Sequence, residues 1–127
     1  MASRKVIWIA RVISILVSLV FIFSAVMKFI GGPDLAQGMA HLGLGERMVI
    51  PLAILELFCV VIYLIPPTAV LGAVLLTGYL GGAILTHWRV GDPFYTQVVL
   101  GLLIWLGIYL REDRLKPVLP IRRSEAS

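Results

Sequence analysis

The amino-acid sequence predicts an all-α polytopic membrane protein, a bundle of four transmembrane helices with both termini in the cytoplasm. Of its 127 residues, 60% are hydrophobic and 14% are charged, and the mean hydropathy is +1.00. Soluble domains average about 45–50% apolar and about 25% charged residues. A chain this short and this apolar cannot hide its surface from water. The apolar residues also form four separate runs, and most basic residues lie near the two termini.

Each of the four apolar runs is long enough to cross a bilayer, which takes about 20 residues, with a range of about 17–25. Inside lipid the backbone must satisfy its own hydrogen bonds, so each run is predicted to be a helix. The runs lie at about 12–30, 48–65, 68–87 and 94–110. Helix-breaking residues separate them at Gly31-Gly32-Pro33, Pro66-Pro67 and Gly91-Asp92-Pro93. The length allows one domain, so residues 1–127 are predicted to form a single transmembrane unit.

The distribution of lysine and arginine predicts the orientation. Four spans place both termini on one side, and the side rich in basic residues is normally cytoplasmic. Eight of the eleven basic residues lie near the start of the first run or in the tail at 111–127: Arg4, Lys5, Arg11, Arg111, Arg114, Lys116, Arg122 and Arg123. The tail has no interleaved aromatic residues, so contact with anionic lipid is favoured over nucleic-acid binding.

Polar residues are predicted to converge in the outer half of the bundle. Lys28 lies near the outer end of the first span, and His87 ends the third. Glu56 lies eight residues into the second, about 12 Å deep at 1.5 Å per residue. The lysine stem can extend along the bundle toward it. The predicted polar cluster consists of Ser24, Lys28, Glu56, Tyr79, Thr86, His87 and Gln97.

The inner half shows no clear buried charge beyond Arg11 at its boundary. A proton or ion pathway would need ionisable groups along its whole length. The pattern therefore favours a pocket open to one side over a conduit, and no broken helix of the transporter kind is apparent.

Small residues on the third and fourth spans predict close helix packing. Gly78 and Gly82 have the GxxxG spacing that permits close approach of membrane helices. Ala83 follows Gly82, and Gly101 lies on the fourth span. We expect these four positions to be helix contacts.

The segment between the first two spans, GGPDLAQGMAHLGLGER, is longer than the 2–8 residues that usually join packed helices. Leu35, Met39 and Leu42 are spaced i, i+4 and i+7, which predicts a short amphipathic helix on the outer surface. Both a lid over the polar cluster and a plain connector lying on lipid fit this pattern.

The sequence carries no motif for metal or dithiol chemistry. Cys59 is the one cysteine, and His41 and His87 are isolated from other metal-binding side chains. Zinc-protease, dinucleotide-binding and P-loop motifs are absent. The sequence therefore predicts no metal site, and it leaves open whether the protein is an enzyme.

Three stretches together resemble a known family. "SAVMKF" ends the first span, "LGLGERMVIPLAILEL" leads through Glu56, and "GGAILTHWRVGDP" ends the third. Their order and spacing resemble the DoxX-like family of small four-helix bacterial membrane proteins over roughly residues 13–109. The matching positions are Ser24, Lys28, Gly43, Glu56, Gly82, Ala83 and His87. That family is named after a membrane subunit linked to quinone-dependent sulfur oxidation, so the resemblance implies a redox setting in the bacterial inner membrane.

Two classes of function remain open. The first is a redox-associated subunit whose pocket holds a quinone-like ligand, such as a lipoquinone, beside an oxidoreductase partner. A quinone head group needs donors such as Lys28 or His87, and Glu56 can exchange protons. The second is a membrane scaffold, acting with a partner or as a homo-oligomer, in which Lys28 and Glu56 pair only to hold the bundle.

Overall fold

The computed structural model describes residues 3–122, whose regular secondary structure is helical, with no β-strand among them. The all-α prediction is confirmed. The five α-helices are α1 (Arg4–Ile30), α2 (Pro33–His41), α3 (Glu46–Leu64), α4 (Ala69–Arg89) and α5 (Tyr95–Arg111). Short 3₁₀ turns lie at Pro66–Thr68 and Asp113–Leu115. Part of the predicted basic tail, including Arg123, lies outside the described residues.

Three segments are long and apolar enough to cross a membrane, namely Arg4–Ile30, Glu46–Leu64 and Pro66–Arg89. The fourth predicted span corresponds to α5, a shorter apolar helix of 17 residues. Helix α1 begins at Arg4 rather than at the first residue of the apolar run. The Ser3 hydroxyl accepts a hydrogen bond from the Val6 amide and caps this polar first turn.

The four long helices pack in a ring, in which α1 and α4 each contact both α3 and α5. Their chain directions alternate. One end of the ring holds the end of α1, the start of α3, the end of α4 and the start of α5, together with the small helix α2; this is the α2 end. The opposite end, the terminal end, holds the start of α1 and the end of α5. Many large apolar side chains point outward, as expected for contact with lipid.

The terminal end is tightly packed around Tyr63, which is fully buried. A Cβ atom at Gly72 would overlap the backbone of Tyr63, so α4 approaches α3 as closely as glycine allows. A Cβ atom at Gly107 would lie 2.5 Å from the Ser14 hydroxyl and 3.0 Å from that of Tyr63. The Tyr63 hydroxyl donates to the Ile104 carbonyl at 2.8 Å. These contacts join α1, α3, α4 and α5 at one level.

Toward the α2 end the helices diverge. In the described part of the chain, no atom of another element lies within 4 Å of a Cβ atom placed at Gly78 or Gly82. Within the described residues both glycines therefore face open space, and no other helix comes close to either position. Gly101 makes an ordinary contact, with the Leu80 Cδ1 atom 3.7 Å from its Cβ position. The bundle thus tapers from an open α2 end to a tight terminal end.

The predicted short helix between the first two spans is present as α2, which lies across the α2 end. Glycines with positive φ angles form the bends on either side of it, at Gly31, Gly32 and Gly43. Two polar contacts tie its far end to the turn between α4 and α5. The Arg89 guanidinium donates to the Leu42 carbonyl, and His41 Nε2 lies 2.9 Å from an Asp92 carboxylate oxygen.

Candidate functional site

A buried ion pair joins α1 to α3. The Lys28 ammonium lies 3.1 Å from Glu56 Oε1, and their side chains are only 8% and 3% exposed. Lys28 also donates to the Ser24 hydroxyl at 2.8 Å, one turn earlier on α1. Lys28 occupies the last turn of α1, where a cation interacts favourably with the helix dipole. Glu56 lies on the buried face of α3 with Cys59 and Tyr63.

The pair borders a cavity of about 510 Å³ at the α2 end. All seven residues of the predicted polar cluster line it. Thr96 also lines it and was missed, because an exposed threonine beside Gln97 at the start of a helix gives no signal of its own. The apolar sides of the cavity are formed by Leu52, Leu55, Leu80 and Leu100. At the α2 end it is covered by a roof, which consists of Met39, Leu42 and Leu44.

The cavity is also lined by Gly78, Gly82 and Ala83. These small residues were expected to contact a neighbouring helix, and in the structure they border the cavity. Gly101 is not among the lining residues. His87, a member of the predicted polar cluster, is not bonded to Lys28 or Glu56 in the structure. It borders the same cavity, but its bond runs instead to the Ala83 carbonyl within α4.

Several polar groups around the cavity keep spare hydrogen-bonding capacity. The Lys28 ammonium has three N–H donors, of which Ser24 and Glu56 use two. His87 Nδ1 donates to the Ala83 carbonyl at 2.7 Å, which leaves Nε2 as an acceptor in the neutral ring. Gln97 Oε1 is buried without a partner among the described residues. The cavity therefore offers one ammonium donor and several acceptors to a guest.

The terminal end holds a second, smaller group of polar contacts. Arg11, the charge expected at that boundary, is exposed. Arg111 turns inward instead, with its guanidinium carbon 5.3 Å from the centre of the Tyr63 ring. The sequence did not distinguish these two arginines, because both lie near the end of an apolar run. No cluster of His, Cys, Asp or Glu suited to a metal ion occurs within residues 3–122.

Comparison with known proteins supports the resemblance seen in the sequence. A model of the DoxX-like family matches residues 12–108, a stretch that contains the whole polar cluster. The chain belongs to the DoxX-like family. No curated protein and no solved structure matches it. Membership of the DoxX-like family, together with three long apolar helices, indicates an integral membrane protein.

Proposed function

We propose that this DoxX-like protein crosses the inner membrane four times and binds a lipid-soluble ligand with a quinone-like head group in the cavity at the α2 end. One observation carries the proposal. A buried ion pair, Lys28–Glu56, borders a cavity of about 510 Å³ in which polar groups remain free to bond a guest. Ionisable residues within membrane helices are costly, and they usually mark functional sites.

The four-span topology is supported by the length and packing of α5. Its 17 residues extend about 26 Å at 1.5 Å per residue, close to the thickness of the hydrocarbon core, about 30 Å. It packs against both α1 and α4. Basic residues flank the terminal end, including Arg4, Lys5, Arg114 and Lys116. The positive-inside rule then places that end in the cytoplasm and the α2 end on the outer side.

The spare groups in the cavity match the two redox forms of a quinone. An oxidised head group presents carbonyl acceptors, which suit the remaining N–H of Lys28. A reduced head group presents hydroxyl donors, which suit Glu56, His87 Nε2 and Gln97 Oε1. The carboxylate and the imidazole can also exchange protons with the head group. Electrons would pass to or from a partner oxidoreductase, while this chain holds the head group.

The scaffold hypothesis also has an observation in its favour. Lys28 and Glu56 neutralise one another's charge, and their contact links α1 to α3. A structural pair of this kind needs no ligand. The two hypotheses differ in whether a small molecule accompanies the purified protein.

Mass spectrometry of organic extracts from gently purified protein tests the proposed function. We expect a lipoquinone in near-stoichiometric amount. Gln97→Leu should reduce it several-fold, because this change removes an acceptor without touching the ion pair. Val98→Leu is the matched control, since Val98 is exposed and is not a lining residue. Phospholipid as the only extracted lipid would reject quinone binding and favour the scaffold.

A further inference from the structure

We infer that the ligand enters sideways from the bilayer, through a gap between α3 and α4, and that its apolar tail lies in this gap against Gly82. This inference rests on the proposed function and narrows the ligand class. It specifies an amphiphile with a hydrocarbon or isoprenoid tail, and not a water-soluble head group alone.

The gap follows from the way α3 and α4 diverge. The two helices are in closest contact where Gly72 meets the Tyr63 backbone. Tyr79 lies two turns farther along the same face of α4, and Gly82 follows it by about one turn. Gly82 is ten residues beyond Gly72, about 15 Å along the axis at 1.5 Å per residue. Among residues 3–122, no atom of another element lies within 4 Å of its Cβ position, so the space beside it is open.

On each side of the gap, a residue that lines the cavity is also exposed on the outer surface of the bundle. Gly82 is exposed and lines the cavity. On the facing helix, Leu55 is 47% exposed and also lines the cavity. Because Leu55 and Gly82 lie on the two neighbouring helices and each borders the cavity while remaining exposed, they mark an opening between α3 and α4. This opening is apolar, and the charged pair lies behind it, since Glu56 is only 2% exposed.

The glycine itself needs an explanation, because glycine is a poorer helix former than leucine or alanine. Close packing accounts for Gly72 and Gly107, whose Cβ positions are blocked by neighbours. It does not account for Gly82, which has no neighbour to accommodate. Gly81 lacks a neighbour as well, but of these two glycines only Gly82 lines the cavity. A bound tail would lie there against the bare helix backbone, and a larger side chain would occupy its place.

Entry from the α2 end is obstructed by the roof. Met39, Leu42 and Leu44 cover the cavity there, and Arg89 holds this segment through the Leu42 carbonyl. A second groove, of about 800 Å³, lies beneath α2 and reaches Lys28 from the opposite side of α3, past Ile50. That groove is the competing route, and the experiment must separate the two.

Binding of a decyl-tailed benzoquinone and of the same head group without a tail tests the inference. Both are titrated by equilibrium binding of the radiolabelled quinones to the full-length protein in phosphatidylcholine nanodiscs, with empty nanodiscs correcting for partitioning. The measured quantity is the tail preference, the ratio of the tail-less Kd to the tailed Kd. We expect a preference above about tenfold in the wild type, from van der Waals packing of the tail in the gap. Gly82→Leu should bring it close to one by filling the gap.

Gly81→Leu is the matched control. Gly81 is also exposed, with nothing within 4 Å of its Cβ position, but it does not line the cavity. It should keep the wild-type tail preference. Leu55→Trp narrows the same gap from α3 and should act like Gly82→Leu, so the test does not depend on one variant folding. Ile50→Trp, which obstructs the competing groove, should leave the preference unchanged.

The possible failures are distinguishable. If both quinones bind and the tail preference survives in Gly82→Leu and Leu55→Trp, the lateral gap is refuted while the proposed function stands. Loss of the preference in Ile50→Trp alone would refute the gap in favour of the groove under α2. If neither quinone binds the wild-type protein, the proposed function and the inference both fail.

Discussion

Replacing Lys28 and Glu56 singly and together provides the most direct test of the buried ion pair. Lys28→Met removes the cation and leaves the Glu56 carboxylate buried without its partner. Glu56→Leu does the reverse. Each single change is expected to destabilise the bundle strongly, because an uncompensated charge in a buried site costs more than the pair contributes. The double variant replaces both members with apolar side chains and should recover much of the loss.

The size of the coupling can be estimated from the geometry. At an N···O distance of 3.1 Å, Coulomb's law with an effective dielectric constant of about 20 gives an attraction of about 5 kcal/mol. Desolvation of both groups offsets most of this attraction, so the net value of the pair is small. Removing one partner should cost about 3–5 kcal/mol, and the double change much less.

Reversible unfolding of the four proteins in mixed micelles, followed by circular dichroism, measures the cycle. A coupling energy of at least about 2 kcal/mol is expected, since residues in direct contact couple by about 0.5–3 kcal/mol. Additive losses would refute the pairing and with it the geometry of the site. The folded double variant also separates the two functions. Loss of bound quinone makes the pair part of a site, whereas retention makes it structural.

Three further predictions concern topology, packing and pH. A reporter that is active only in the cytoplasm should work when fused to the C-terminus, and activity confined to a periplasmic reporter would overturn the orientation. Gly72→Ala should lower the free energy of unfolding by about 1–3 kcal/mol, because it forces a methyl group into the Tyr63 backbone. Gly81→Ala should not lower it. Equal melting temperatures of the two variants would contradict the close contact at Gly72. Lys116 lowers the pKa of Asp113 through a hydrogen bond and its charge. The resulting stabilisation is present above the ordinary aspartate pKa, about 3.9, and is lost as the pH falls through the lower pKa of Asp113 in the folded protein. If the melting temperature of an Asp113→Asn variant falls with decreasing pH just as that of the wild type does, this effect is refuted.

The polar cluster could be predicted because membrane helices restrict where charge can go. Lys28 and Glu56 lie in long apolar runs, and an ionisable group there must face the interior of the bundle. Helix rise and the alternating chain direction then placed both at the same level. The same reasoning gave the short helix α2, but it did not decide between a lid and a connector lying on lipid.

The glycines could not be interpreted from spacing alone. GxxxG spacing shows that a neighbouring helix could come close, but it does not show whether one does. Gly78 and Gly82 have the spacing and face open space, whereas Gly72 and Gly107 lack it and make the closest approaches. What separates them is the rotation of each helix about its axis, which depends on partners such as Tyr63 on other helices. The same rotation turns Arg111 inward and leaves Arg11 exposed.

The taper of the bundle makes its two ends mechanically unequal. Close-packed protein interiors have low compressibility, so the ring around Tyr63 should hardly change under hydrostatic pressure. Open space within the bundle lies mainly at the other end, in the cavity of about 510 Å³. High pressure favours states in which internal voids are eliminated. Compression should therefore draw the diverging ends of α3 and α4 together more than it changes their close contact at Gly72, so we expect the α2 end to respond to pressure before the terminal end does.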